Sequence, residues 1–343
     1  MAYRYMESFG WAGTDTTIFQ SRYNTVLAGL GLQTTGGRFG NGPRGQVNNS
    51  GRQDFNFPGA PTATIRLGTA FQVQDGATMG SGNPLVAFLD ANTIQCYITI
   101  NTATRLLELR RGDNTLLATA GSTPVQNASW YYLEVICTLS NTVGQVSVQL
   151  DGVAVITTAA NLDNVNSAAV QCTGIRIQGG NSGSGLNLYC DMFCADDVAA
   201  FQGESRVTLL TPAADGAASA WTPSTGTTLF NLVDEIPPNG DTDYISSATA
   251  GQQALFTFSN LTYTPATVFA VQTSLYARKD DAAARSIAGL VRSGGTTTAG
   301  TTYNLTTSYL DIYLDMWALN PTTAAAWTAA EVDGMEAGVQ CIA

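Results

Sequence analysis

Val146-Ser147-Val148-Gln149-Leu150-Asp151-Gly152-Val153-Ala154-Val155-Ile156 places two alternating runs either side of Asp-Gly. Side chains on a strand alternate between its two faces, so residues 146, 148 and 150 share one apolar face. Asp-Gly supplies the left-handed backbone that a two-residue hairpin turn requires, and the stretch predicts a β-hairpin. Reading outward, Trp130-Tyr131-Tyr132-Leu133-Glu134-Val135-Ile136 is a long β-prone strand. Leu85-Val86-Ala87-Phe88-Leu89 and Ile94-Gln95-Cys96-Tyr97-Ile98-Thr99-Ile100 flank an Asp90-Ala91-Asn92 turn, and Gly112-Asp113-Asn114 turns the chain into Thr115-Leu116-Leu117-Ala118-Thr119. Asp280-Asp281-Ala282-Ala283-Ala284-Arg285 reads either as a helical turn or as a charged loop. The one clear helix signal is Thr328-Ala329-Ala330-Glu331, a capping box. Val332, Met335 and Val339 give it an apolar edge and Gly338 a C-cap, so it is expected to be the last element.

A chain of 343 residues fits two domains, each able to bury its own core. Hydrophobic residues make up 44% and charged residues 12%, a globular balance with a Thr-, Asn- and Gly-rich surface. The net charge of −11 excludes the basic stripe that nucleic-acid binding needs. Arg105 and Arg110-Arg111 form the one local basic cluster and read as a solvated hairpin. The sequence has no histidine, which removes Ser-His-Asp and Cys-His catalysis, His-ligated zinc and a histidine pH switch. The six cysteines, Cys96, Cys137, Cys172, Cys190, Cys194 and Cys341, sit mostly in apolar runs and are expected as buried free thiols. A cross-strand bridge using Cys96, Cys172 or Cys190 is the alternative. No cofactor is expected. Met1-Ala2-Tyr3-Arg4-Tyr5 has no apolar core of a leader, and no run reaches the length of a membrane span, so neither secretion signal nor membrane contact is expected.

A near-repeat suggests how the chain is organised. Ile175-Arg176-Ile177-Gln178-Gly179-Gly180 precedes Tyr189-Cys190-Asp191-Met192-Phe193. Leu290-Val291-Arg292-Ser293-Gly294-Gly295 precedes Tyr313-Leu314-Asp315-Met316-Trp317. The two copies predict the same late strand in two related β-domains, with a shared structural role for Asp191 and Asp315. The second copy has the longer spacing and room for an extra strand or loop. Polar breaks at Asp196-Asp197 and Gly203-Glu204 divide the chain into a domain at 1–200 and one at 205–343. Residues 31–59 and 211–226, rich in small and polar residues, read as long loops.

Candidate chemistry is sparse. A retaining glycosidase needs two carboxylates about 5 Å apart, which acid-x-acid on a strand would supply. Asp241-Thr242-Asp243 is the nearest match, but it follows Pro237-Pro238-Asn239-Gly240, so a turn or a weak calcium loop is the preferred reading. Asp311 with Asp315 is a second match. Arg111-Gly112-Asp113 reads as a tight turn rather than an adhesion motif. Asn48-Asn49-Ser50 fits a glycosylation acceptor only in a secreted chain. Among Trp11, Trp130, Trp221, Trp317 and Trp327, Trp221 lies among small polar residues and is the best candidate for an exposed contact, although packing is the preferred role. The residues singled out for glycan or partner contact are therefore Trp221, Asp241 and Asp243.

The segment from Trp130 to Val135, followed by Gly144-Gln145-Val146-Ser147-Val148-Gln149-Leu150-Asp151-Gly152, resembles concanavalin A-like or laminin-G-like jelly rolls over roughly the first 200 residues. The second half resembles bacteriophage and prophage virion proteins in Arg206-Val207, Trp221-Thr222-Pro223, Val233-Asp234-Glu235, Asp241-Thr242-Asp243-Tyr244-Ile245, and from Asn320-Pro321 to Trp327-Thr328. The resemblance implies an all-β chain of two tandem antiparallel β-sandwiches. It also implies a non-enzymatic virion protein of tail, baseplate or fibre, assembled in the host cytoplasm. Its expected partners are other virion proteins, copies of itself as a symmetric oligomer (a trimer first) and a host surface glycan. A capsid decoration protein is the nearest variant. A glycan depolymerase and a free lectin are the rivals from other classes. The family supplies no catalytic residues to carry over.

Overall fold

The computed structural model describes residues 3–343 except 24, 27, 28, 41, 49, 50, 58, 76–78, 182–184 and 197–199. Asn49 and Ser50 of the glycosylation pattern, Asp197 of the acidic break, and Met1 and Ala2 lie outside the described residues. The chain divides into two units, residues 1–16 with 23–207 and residues 17–22 with 208–343. No local sequence signal announces that 17–22 groups with the second unit.

The first unit contains β1 (Tyr3–Glu7), β2 (Thr25–Val26), β3 (Leu30–Gln33), β4 (Arg44–Val47), β5 (Arg52–Asn56), β6 (Thr64–Val73), β7 (Val86–Asp90), β8 (Thr93–Ile100), β9 (Leu107–Arg111), β10 (Leu116–Thr119), β11 (Trp130–Thr138), β12 (Gln145–Leu150), β13 (Val153–Thr157), β14 (Gly174–Gln178) and β15 (Asn187–Ala195). One sheet runs β13-β12-β11-β6-β15-β4-β3, with β1 also on β15, and the other runs β10-β9-β8-β7-β14-β5-β2. The expected hairpin joins β12 to β13, with Asp151 and Gly152 at φ of 50° and 77°. Asp151 also accepts the Tyr132 amide at 2.7 Å, which ties the turn to β11.

Strand alternation builds the core of this unit. Ile65, Leu67 and Phe71 on β6 and Leu133, Val135 and Cys137 on β11 point one way and are buried. Phe88, Cys96, Ile98, Ile175 and Ile177 form the matching face of the other sheet. The Cys96 and Cys137 sulfurs, one from each sheet, lie 3.9 Å apart and mark where the two layers meet. Each large apolar side chain buried in this way contributes roughly 1.5–3 kcal/mol. All six cysteines are free and buried. Burial pushes the Cys172 thiol up to about 12.

The reading of 31–59 as a loop needs correction, because β3, β4 and β5 occupy much of it. Composition misleads there: Gly45 serves close packing, since a Cβ would come within 2.6 Å of the Phe9 ring.

The second unit contains α1 (Thr16–Ser21), β16 (Pro212–Ser219), β17 (Thr222–Pro223), β18 (Ile245–Ser246), β19 (Gln253–Phe258), β20 (Val271–Ala277), β21 (Ser286–Ser293), β22 (Thr296–Asn304), β23 (Leu310–Trp317), α2 (Ala329–Asp333) and β24 (Glu336–Cys341). The first residue of α1 belongs to the other unit. A five-stranded sheet runs β16-β19-β24-β21-β22, and β20-β23 and β17-β18 form separate pairs. Ala254, Phe256, Ile287 and Val339 from the large sheet share a core with Ile312 and Leu314 of β23, so the β20-β23 pair is a second layer. The chain is thus all-β, two antiparallel β-sandwiches in tandem.

Two further readings change. Residues 211–226 hold β16 and β17; the run Ala213-Ala214-Asp215-Gly216-Ala217 has little β-propensity of its own and becomes a strand by pairing with β19. The capped helix is present, with Thr328 accepting the Glu331 amide and the Glu331 side chain accepting the Thr328 amide. It is not the last element. Gly334 is its C-cap, and Gly338 lies in β24, where a Cβ would fall 1.9 Å from the Ala254 carbonyl oxygen. Residues 280–285 form a charged loop, with Arg285 on Asp281 at 2.6 Å.

Candidate functional site

Asp241, Asp243 and Trp221 fall into three different environments in the second unit. Trp221 is partly buried, packs against the Leu229 core cluster and donates its indole N–H to the Gln252 carbonyl at 3.1 Å. Asp241 lies in the turn that precedes β18, after Gly240 at φ 65°. Arg278, which follows β20, donates from Nη2 and Nε to Asp241 Oδ1 at 2.9 and 3.3 Å. The Tyr309 hydroxyl, just before β23, donates to the same oxygen at 2.8 Å. Tyr276 stacks on Tyr309 with centroids 5.0 Å apart and planes at 10°, and the Arg278 guanidinium lies 5.1 Å from the Tyr309 centroid. Asp241 remains 64% exposed at its side chain.

The electrostatics keep Asp241 charged. Arg278 first, then Tyr309, hold the Asp241 carboxyl below the usual carboxylate range, so it stays ionised near neutrality. Asp243 stands apart from this set. Its charge, after burial, helps raise Glu235, with Asp234 adding to the effect. Because 241–243 form a turn instead of a strand, the acid-x-acid spacing does not give two carboxylates on one face.

The other acid pair is likewise taken up by structure. Asp311 is buried against Arg22, 2.6 Å away, while Asp315 accepts the Thr301 amide at 3.0 Å. Among the described residues, no group of three or more cysteines and carboxylates is placed to hold a metal ion. No helix among them is long and apolar enough to cross a membrane.

The first unit holds a polar assembly that the sequence reading missed. On the face of its β10-to-β2 sheet away from the core, Arg110, Tyr97, Ala87, Arg176 and Asp54 stand in one cross-strand row. Arg176 grips Asp54 through two bonds of 2.6 and 2.7 Å, both groups buried. Tyr97 bonds Asn114, and Glu108 accepts from Asn101 and Arg110. The signal was available: Ile94, Cys96, Ile98 and Ile100 alternate with Gln95, Tyr97 and Thr99, and a polar face on a central strand is unusual. With Tyr97, Asp54 and Arg176 each no more than 3% exposed, this row is a closed network. An open polar cleft of about 410 Å³ lies at Arg111, Asp113, Asn141 and Asp163. Arg111 there bonds both Asp113 and Asp163, so the Arg111-Gly112-Asp113 turn is tied to itself. Trp11 and Trp327 are buried, and Trp130 and Trp317 are partly buried.

No protein-family model matches the chain, and no curated protein does. Among solved structures, it is similar to alginate lyase Aly36B, at 13% identity over 58% of this chain and 100% of that one, with a TM-score of 0.40. It is also similar to the carbohydrate-binding module CBM66 from Bacillus subtilis, at 13% identity over 49% and 92% of the two chains, TM-score 0.31. Galectin LEC-6 from Caenorhabditis elegans matches at 14% identity over 41% and 95%, TM-score 0.27. Likenesses this distant assign no activity to the chain.

Proposed function

We propose that this chain is a non-enzymatic structural protein of a tailed-phage particle that meets host glycan through the surface around Asp241, Arg278 and Tyr309. The observation that carries the glycan contact is the fixed, exposed carboxylate–guanidinium pair, buttressed by two stacked tyrosines. Groups already held in place lose little rotamer freedom when a ligand binds. The virion setting rests on the resemblance of the second half to phage particle proteins. A glycan array probed with the purified chain tests the contact, with saturable binding expected and weakened in Asp241→Ala. Absence of binding across the array would remove the glycan reading. Labelling intact particles tests the setting, and a label confined to culture supernatant would remove it.

A catalytic reading has one observation in its favour, the raised Glu235 beside Asp243. It requires glycan cleavage that Glu235→Gln abolishes. Under the binding reading the wild-type chain releases no product.

A further inference from the structure

Resting on the glycan reading, we infer that the Asp241–Arg278 surface selects a neutral saccharide through two adjacent hydroxyls and discriminates against uronate and sialate. A guanidinium carries five N–H donors. In Arg278, Nε and Nη2 donate to Asp241 Oδ1, and Nη1 donates to the Lys279 carbonyl at 3.3 Å. The Tyr309 hydroxyl oxygen takes up a further guanidinium N–H, which leaves one over. The three bonds to Asp241 all end on Oδ1, so Oδ2 is left as an acceptor on a side chain that is mostly exposed. A free acceptor therefore sits beside a free donor on one rigid unit. A vicinal diol matches that pair, one hydroxyl donating to Oδ2 while its neighbour accepts from the guanidinium.

A carboxylated sugar meets the opposite conditions. It would have to compete with Asp241 for a guanidinium that Asp241 already neutralises. The other nearby cations in the sequence are engaged as well: Lys279 Nζ bonds the Ala283 carbonyl, and Arg285 bonds Asp281. The remaining charges of the flanking segments, Asp234, Glu235, Asp243 and Asp280, are all acidic. Like charges brought together across a contact suppress binding.

The test uses the full chain on an array with three arms: neutral hexose oligosaccharides, uronate oligosaccharides and sialylated glycans. The expected result is binding in the neutral arm alone, changing little between low and high salt. Asp241→Asn should weaken it by about tenfold or more, because it replaces a charged acceptor with a neutral one. Arg278→Lys should weaken it comparably by removing the fork. Binding confined to the anionic arms, or strengthened there by high affinity at low salt, would overturn the neutral-diol inference and leave the glycan contact standing. Neutral-arm binding that neither variant weakens would overturn the assignment to this surface. No binding in any arm would overturn the glycan contact and the inference together. Circular dichroism of both variants, expected to match wild type because both groups are at the surface, separates lost binding from lost folding.

Discussion

β15 and β23 carry nearly the same five residues and belong to different kinds of strand. β15 is buried along its whole length, with β6 on one side and β4 and β1 on the other. Among the described residues, β23 has β20 as its sole strand partner. Both are bulged within the shared segment, β15 between Cys190 and Phe193 and β23 opposite Thr273 and Ser274. In each, the aspartate accepts a backbone amide away from the regular ladder. Asp191, at φ 54°, takes the Val207 amide at 2.9 Å, and Asp315 takes the Thr301 amide where β22 is itself bulged against β21. The local sequence favours an irregular strand with an acceptor on it, and the surrounding fold decides which stray amide that acceptor serves. The glycine pairs differ too. Gly179-Gly180 leads out of β14 toward β15, whereas Gly294 and Gly295, at φ 55° and 84°, close the β21–β22 hairpin and insert a strand before β23.

The largest test of this contrast is Arg22→Ala. β23 depends on a charge supplied from residues 17–22, since Asp311 and Arg22 are 4% and 5% exposed at their side chains. Removing one partner of a buried pair costs roughly 3–5 kcal/mol. The urea midpoint read by tryptophan fluorescence should fall accordingly, and Asp311→Asn in the same chain should recover part of the loss. An unchanged midpoint would mean that β23 stands without the borrowed charge.

Asp191→Ala should come next, at about 2 kcal/mol, because it leaves the Val207 amide unpaired and puts alanine at a left-handed position. Asp315→Ala should cost less, under about 1 kcal/mol, because Thr301 is exposed and water replaces the lost acceptor. Asp191→Asn should retain most of the wild-type stability. Equal losses for the two alanine variants would erase the distinction between the strands.

A smaller effect is expected at Glu134, on the outer face of β11, which accepts the Gln202 and Gly203 amides. Burial raises its carboxyl, opposed by those two amides. A carboxyl raised on folding contributes stability below its unfolded value and loses it as pH rises through the folded value. Wild type should therefore gain on Glu134→Gln as pH falls from neutrality toward the carboxylate range, measured as paired thermal melts. The opposite slope would show that the amides outweigh burial. The smallest effect is Tyr309→Phe, with an unchanged melting temperature and a few-fold loss of glycan binding as Asp241 loses one restraint.

How much was legible follows from distance along the chain. Asp151-Gly152 was readable because a turn of this kind is fixed by two adjacent residues. The helix at Thr328 was readable through its capping box, whereas its end was not. Val332, Met335 and Val339 suit a helix, and Met335, Ala337, Val339 and Cys341 suit a strand, and all of these are buried. The empty place beside Ala254, which only glycine fills, settles the matter in favour of β24. Asp241 was found as a candidate, but its partners were not: Arg278 lies 37 residues away and Tyr309 lies 68 away. The polar row on β8 is visible in the sequence as alternation, but Arg176 and Asp54, which complete it, come from distant segments of the chain.

The carboxylate of Asp315 also bears on an open margin of its sheet. β22 is an outermost strand, nine residues without proline and rich in threonine. An open margin of that kind recruits another chain as an added strand and seeds fibre growth. The Thr301 amide at its middle is already claimed by Asp315, whose other carboxylate oxygen is buried beside Gly300. An added strand therefore finds one backbone donor fewer at that point of the margin.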